Sequence, residues 1–454
     1  MRWPDGTVTR LRALVGKECR ELVASRAALV YFAVIGLLVG NAHIAAVETY
    51  AEMSGAAGGP AALPQGLSPL DGFVVPVFGA YAIAATFLFP FVCIRQGGAE
   101  RERGALQLLL QAPVGAGIQM GVKAIVLLLA WLLSWVPGLL ALALWSRAGG
   151  HLSTTEVAAV LLGHAVRGVL VVTLSLLAVA LTDSAASAAI VALALSVGSF
   201  ALDFTAQVRG GTFTTLAQFT PEAVLRTFER GEVRIDVFAV ASVLAICCMI
   251  LAAWLGHPGR PIRARVMAAT VAVVVAIPVA WSVSRATASW DWSEDRRNSF
   301  ARADEVLLRT IREPLRIDVN LAPEDPRLAD LERAVLRKLR RTMPDVQVRY
   351  AARTSTGLFE QPGDKYGEVW YRLGARSEMT RSTTEPIVLE TIFHLAGLVP
   401  PAPSASDEAA YSGYPLRAQV GGARPLFYVV WPLIVLVLWM VSRRRTKPQA
   451  RNTG

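Results

Sequence analysis

The sequence predicts a polytopic α-helical membrane protein, with about eight transmembrane helices and a small α/β extracytoplasmic domain between helices seven and eight. Three observations predict it. Charged residues make up only 18% of the 454 positions, where soluble proteins carry roughly 25%, and 54% are hydrophobic. Eight runs reach or approach the 20 or so apolar residues that a helix needs to cross a bilayer. Basic residues gather on one side of those runs.

The runs are 27–47, 72–94, 122–145, 157–181, 185–202, 237–255, 266–283 and 425–441. Thr182-Asp183-Ser184 alone separates the fourth from the fifth. With the N-terminus in the cytoplasm, segments 1–26, 95–123, 182–184, 257–265 and 442–454 carry 18 Lys and Arg. The short outer loops 48–71, 146–156 and 203–236 carry 5, the asymmetry that the positive-inside rule requires. Both termini then read as cytoplasmic, and the chain as a multi-pass protein of the inner (plasma) membrane. The first run is full length and follows 26 mostly polar residues, which argues against a cleavable signal. The formal net charge of +10 becomes the sum of this topology and not a nucleic-acid signature. Cys19, Cys93, Cys247 and Cys248 all fall in cytoplasmic or span positions, so no structural disulfide is expected.

Residues 286–424 form the one sizeable polar region, with 20 basic and 20 acidic residues. Leu315, Ile317, Val319 and Leu321 alternate with polar residues as in a half-buried strand. Leu328, Leu331, Val335 and Leu339 mark a helical stripe that Met343-Pro344 closes, and Val346, Val348 and Tyr350 alternate again. Val369 to Leu373 reads as a strand and Pro386 to Leu398 as a helix with Thr384 as its N-cap. This order fits a small α/β sandwich. The stretch 399–424, with Pro400-Pro401 and Gly421-Gly422, reads as a linker into the last span.

Catalytic motifs are missing. There is no Gly-rich loop ending in Gly-Lys-Ser/Thr, since Gly16-Lys17 is followed by Glu18. No His-Glu-x-x-His, Gly-x-Ser-x-Gly or clustered Cys/His set occurs, and His43, His151, His164, His257 and His394 are scattered. The chain reads as a non-enzyme that carries no catalytic residue, metal site or cofactor of its own, so any energy source belongs to another chain.

The segment Arg95 to Val114 runs from a charged stretch into a Leu cluster and stops at Pro113. That pattern suits an amphipathic helix at the membrane surface, polar end first. It is either a solvated connection between two spans or a helix that docks onto a soluble motor. The run Glu100-Arg101-Glu102-Arg103-Gly104-Ala105-Leu106-Gln107-Leu108-Leu109-Leu110 with Pro113, followed by Lys123, resembles the signature of type-2 ABC-transporter permeases. Lys17-Glu18-Cys19-Arg20-Glu21-Leu22 is similar to that family's membrane-parallel N-terminal helix. Between spans five and six, Phe219-Thr220-Pro221-Glu222, Phe228-Glu229-Arg230-Gly231-Glu232-Val233 and Asp236 resemble the gliding-motility-associated branch. Thr220 and Pro221 also suit the cap and first turn of a short helix. Asp291-Trp292-Ser293, Asn298-Ser299-Phe300, Leu315 to Val319 and Tyr366 to Tyr371 resemble the start of the gliding-motility auxiliary protein, whose outer region is usually much longer.

The resemblance implies a division into a six-helix permease domain (1–256), a basic loop with a seventh anchor (257–285), an outer α/β domain with its linker (286–424), and an eighth helix with a basic tail (425–454). It implies an exporter-type permease coupled through loop 95–123 to a separate pair of ABC ATPase subunits that hold ATP and Mg. Glu100, Arg101, Glu102, Arg103, Gly104, Leu106, Leu109 and Pro113 would carry that coupling, and Lys17, Glu18 and Arg20 the N-terminal interfacial helix. A second permease half, most simply a second copy, and an outer auxiliary protein are further implied partners, beside the lipid bilayer.

Two local features have two readings each. Gly36-x-x-x-Gly40 permits close helix approach, in a dimer or in ordinary packing. Arg167, with His164 one turn away, lies about ten residues into span four. It either bonds a carboxylate or carbonyl of a neighbouring helix or lines a translocation route. The rival overall reading is a membrane-anchored sensor or scaffold acting through 286–424.

Overall fold

The computed structural model describes residues 5–53, 68–102, 115–209, 212–256, 259–286, 288–322, 325–351, 365–401 and 421–446. Among them are eight helices long and apolar enough to cross a membrane: Arg26–Met53, Leu70–Gly98, Gly117–Arg147, Thr154–Leu181, Ala185–Ala206, Ile235–Leu255, Ile262–Val283 and Ala423–Arg444. They are spans one to eight below. The chain divides into two compact units. One comprises Met1–Gly198, Val237–Arg285 and Ala410–Gly454, and the other Ser199–Asp236 and Ala286–Ala409.

In the first unit, spans one to four share a core rich in aromatic residues. Phe73 stacks on Trp145 with centroids 4.0 Å apart, and Tyr50 meets the same indole edge-on at 4.9 Å. Tyr31 and Trp131 both turn an edge to Phe89. Such pairs contribute about 0.5–1.5 kcal/mol each beyond area burial. By contrast, span seven has no buried residue among the described residues.

Span three is not the single helix that its apolar run suggests. Ala116–Leu133 and Val136–Arg147 are separate helices that meet at Ser134-Trp135. Pro137 lies in the first turn of the second helix, where its missing N–H costs nothing, whereas inside a continuous helix it would clash with the carbonyl of Leu133. The break is itself hydrogen bonded: Tyr31 donates to Ser134 Oγ at 3.0 Å, Tyr81 Oη lies 3.0 Å from the same oxygen, and Ser134 Oγ donates to the Trp131 carbonyl at 2.6 Å.

The Gly36/Gly40 face is filled from within the chain. A Cβ at Gly36 would come 1.9 Å from the Trp431 ring, and one at Gly40 would come 2.3 Å from Phe427. Trp431 Nε1 donates to the Phe32 carbonyl at 2.7 Å. The small-residue pair therefore seats the chain's own span eight, packing within the chain.

The second unit contains a four-stranded sheet in the order β4-β3-β5-β6 and a two-stranded sheet β1-β2. The strands are β1 (Glu232–Arg234), β2 (Ser289–Asp291), β3 (Leu315–Val319), β4 (Val346–Tyr350), β5 (Val369–Leu373) and β6 (Arg376–Thr380). β3 and β4 are parallel, joined through the helical run 326–342, while β5 and β6 add on antiparallel. The alternation read from the sequence is the burial pattern: Leu315, Ile317 and Val319 are buried beside Val369, Tyr371 and Leu373. Leu331, Val335 and Leu339 enter the same core, as do Val388 and Ile392 of helix Glu385–Ala396. Thr384 stands at the N-cap of that helix, though its side chain does not cap it. At the other end Gly397 adopts φ +70°, and Leu398 N–H closes on the Phe393 carbonyl at 2.9 Å.

Candidate functional site

A buried polar cluster in the membrane unit lies where the N-terminal helix Asp5–Ala24 meets spans two and three. Glu18 on that helix is fully buried. Lys123 Nζ donates to Glu18 Oε1 at 3.0 Å, and Gln96 Nε2 donates to Glu18 Oε2 at 2.5 Å and to the Glu18 carbonyl at 3.0 Å. Lys123 also donates to the Gln96 carbonyl at 3.3 Å. Lys17 approaches Glu18 Oε1 to 3.3 Å and Glu21 Oε2 to 3.9 Å from a more exposed position. A buried carboxylate is tolerated only when it is paired and hydrogen bonded, and Glu18 is both.

The position of the cluster gives it a mechanical meaning. Gln96 and Lys123 stand on either side of the segment 97–122, so one carboxylate holds both roots of the loop between spans two and three. Of the residues singled out in that loop, Glu100, Arg101 and Glu102 lie on helix Val75–Glu102, which continues span two through Gly97-Gly98. Arg103, Gly104, Leu106, Leu109 and Pro113 lie outside the described residues. Arg20 donates from Nε to the Gly16 carbonyl at 3.0 Å on the exposed side of the N-terminal helix and takes no part in the cluster.

The second polar site lies deeper. Arg167 is fully buried on span four and donates to the Ala82 carbonyl of span two at 3.2 Å and to Thr86 Oγ1. Thr86 Oγ1 in turn donates to Ala82 O at 2.8 Å. His164, also fully buried, lies between Phe78 and Tyr81, with centroids 5.3 and 5.2 Å away, and neither ring nitrogen has a hydrogen-bond partner among the described residues. Its carbonyl accepts from Trp131 Nε1 at 2.9 Å. Gly168 makes room for that indole, since a Cβ there would come 2.5 Å from Trp131 Nε1. Arg167 thus bonds a backbone carbonyl of a neighbouring helix.

Sequence reasoning singled out Glu18 and Lys123 separately but did not join them, and it passed over Gln96 within the loop it read. It also missed the pairing of β1 with β2, in which Glu232, Val233 and Arg234 face Asp291, Trp290 and Ser289. Asp291 Oδ2 then accepts from Asn298 N–H at 3.1 Å and Ser299 Oγ at 2.6 Å, while Asn298 Nδ2 donates to the Arg230 carbonyl at 2.7 Å. Two segments 50 or more residues apart in the chain are knitted together this way. No family profile, no curated protein and no solved structure matches the chain.

Proposed function

We propose that the chain is the transmembrane permease subunit of an ATP-driven ABC transporter of exporter type, driven by ATPase subunits on separate chains. The buried Glu18 cluster carries this reading. Loop 95–123 is the element on which the ATPase pair acts, with Glu100–Pro113 as its contact. A push there reaches the N-terminal helix, span two and span three at once, because Glu18 binds Gln96 and Lys123 on both sides of the loop. In this reading both termini are cytoplasmic, ATP and Mg sit on the partner, and the unit works with a second permease half in the inner membrane. That half docks elsewhere than Gly36 and Gly40, which Trp431 and Phe427 cover. An outer auxiliary protein is a further partner.

The test is copurification from the native host. The full chain brings down a protein with a Gly-x-x-x-x-Gly-Lys-Ser/Thr loop, and reversing Glu100 and Glu102 to Lys releases it. If no ATPase accompanies the wild-type chain, the reading is wrong. A sensor or scaffold acting through 286–424 draws support from the separate core of the α/β unit. Retention of coupled ATPase activity after removal of 286–409 counts against it.

A further inference from the structure

The α/β unit carries a group of arginines that the transport reading does not use. Arg226 and Arg230 stand four residues apart, on helix Pro221–Glu229 and its C-cap. Arg333 and Arg337 stand four apart on the helical run 326–342. Residues so spaced share a helix face. The Arg337 guanidinium lies 3.6 Å from Glu232, two residues beyond Arg230, which draws the two pairs together.

Carboxylates answer only some of these charges. Arg226 is paired with Asp203 and faces Glu229, and Arg337 has Glu232 and Glu332. Arg234 is held by Asp236 through bonds of 3.0 and 2.6 Å. Among the described residues Arg333 reaches Asp330 alone, at 3.9 Å between two exposed side chains, a pair of little strength. Arg230 makes no side-chain hydrogen bond or ion pair among the described residues. Among the described residues the charges that act on it are Arg333, Arg337, Arg226 and the carboxylate of Glu232, already shared with Arg337.

Burial, and then those three guanidiniums, push Arg230 below its ordinary value. A guanidinium keeps its proton in proteins, so the repulsion stays until an anion relieves it. The backbone beneath is already fixed. Asn298 Nδ2 holds the Arg230 carbonyl at 2.7 Å, and Gly231, at φ +73°, lies so close to Ser293 that a Cβ would come 2.9 Å from its nitrogen. A charged group held before its ligand arrives loses little entropy on binding.

We infer that Arg230 and Arg333, flanked by Arg226 and Arg337, form a binding site for a dianionic phosphate group. Two guanidiniums with no carboxylate hydrogen bonded to them among the described residues match two negative charges, and the oxygens of a terminal phosphate accept from more than one guanidinium fork. A single carboxylate would satisfy only one of them. β1 ends at Arg234, one residue before span six, so the phosphate belongs either to a lipid headgroup or to a soluble ester.

The full chain in detergent, at low ionic strength to limit screening, is titrated with inorganic pyrophosphate and, separately, with phosphatidic acid or phosphatidylcholine in mixed micelles. Saturable binding of pyrophosphate without preference for phosphatidic acid assigns a soluble ester; saturation by phosphatidic acid alone assigns a headgroup. In either case Arg230→Gln and Arg333→Gln each weaken binding about tenfold, the loss of one charge-assisted contact, and Arg230→Lys recovers part of it. Arg372→Gln, on the β5 arginine paired with Asp318, stays within about twofold of wild type. Neither Arg230 nor Arg333 is buried in the core, so circular dichroism and gel filtration of both variants match wild type. Wild-type protein that saturates with neither probe, or Gln variants that bind as wild type does, overturns the assignment.

Discussion

Glu18 and Arg167 are both sealed from solvent in the membrane unit, and the chain satisfies them in different ways. Glu18 sits among opposite charges, with Lys123 at 3.0 Å and Lys17 at 3.3 Å. Arg167 gives hydrogen bonds to neutral oxygens, the Ala82 carbonyl and Thr86 Oγ1. The first arrangement joins three helices at the two roots of one loop; the second ties span four to span two deep in the bundle. A buried ion pair is unforgiving, because deleting one partner leaves the other charged and desolvated. Where the acceptors are neutral oxygens, as at Ala82 and Thr86, removal of the cation leaves no charge on them.

The largest effect is expected at Glu18. Glu18→Gln takes away the carboxylate that neutralises Lys123, which is only 5% exposed, and costs about 3–5 kcal/mol, read as a fall in the melting temperature of the detergent-solubilised chain. Lys123→Met costs less, since Lys17 stays beside Glu18. The double variant Glu18→Gln/Lys123→Met recovers most of the loss, because no unpaired charge remains. A double-mutant cycle giving strict additivity would show that the two side chains do not act as a pair and would remove the contrast with Arg167.

A smaller effect is expected where an apolar contact, with no charge, closes the same unit. Gly36→Val drives a side chain into the Trp431 ring and costs about 1–3 kcal/mol, the usual range for overpacking. Trp431→Ala on its own loses the indole's bond to Phe32, yet in the Gly36→Val background it restores part of the stability. If Gly36→Val instead changes only the oligomeric state, the small-residue face belongs to an interface between copies and not to span eight.

These features differ in how far the sequence reveals them. The spans were legible because twenty apolar residues in a row leave few alternatives. Thr220 was legible as a cap because the signal is local, and its hydroxyl does accept from Ala223 N–H at 3.2 Å. The core strands β3, β4 and β5 were legible from alternation. β6, with the sequence Arg376-Ser-Glu-Met-Thr380, has no alternating apolar set to read, and β1 and β2 are three residues each. The break at Ser134 hides inside an unbroken apolar run, with Pro137 as its only mark. Glu18 read as a polar residue on a surface helix, because its partners lie 78 and 105 positions away. Gly36 and Gly40 announced a close approach but not the partner, 395 positions on in the case of Trp431. Much of the loop site, Arg103 to Pro113, lies outside the described residues.

The smallest effect is expected at the residue that looks most exceptional in the sequence. Arg167→Met removes a charge from the bundle and replaces it with an apolar side chain of similar length. The acceptors left behind already have another partner: Thr86 Oγ1 donates to the Ala82 carbonyl whether or not Arg167 is present. An apolar replacement of comparable volume then roughly offsets the lost bonds with relief of desolvation, and the net change stays near 1 kcal/mol. Arg167→Ala, which also leaves a cavity beside Ala82 and Thr86, is the more damaging substitution and calibrates the measurement. Melting curves of the two variants beside Glu18→Gln decide the point. A loss for Arg167→Met as large as that for Glu18→Gln would mean that Arg167, too, neutralises a buried carboxylate, and the distinction between the two sites would collapse.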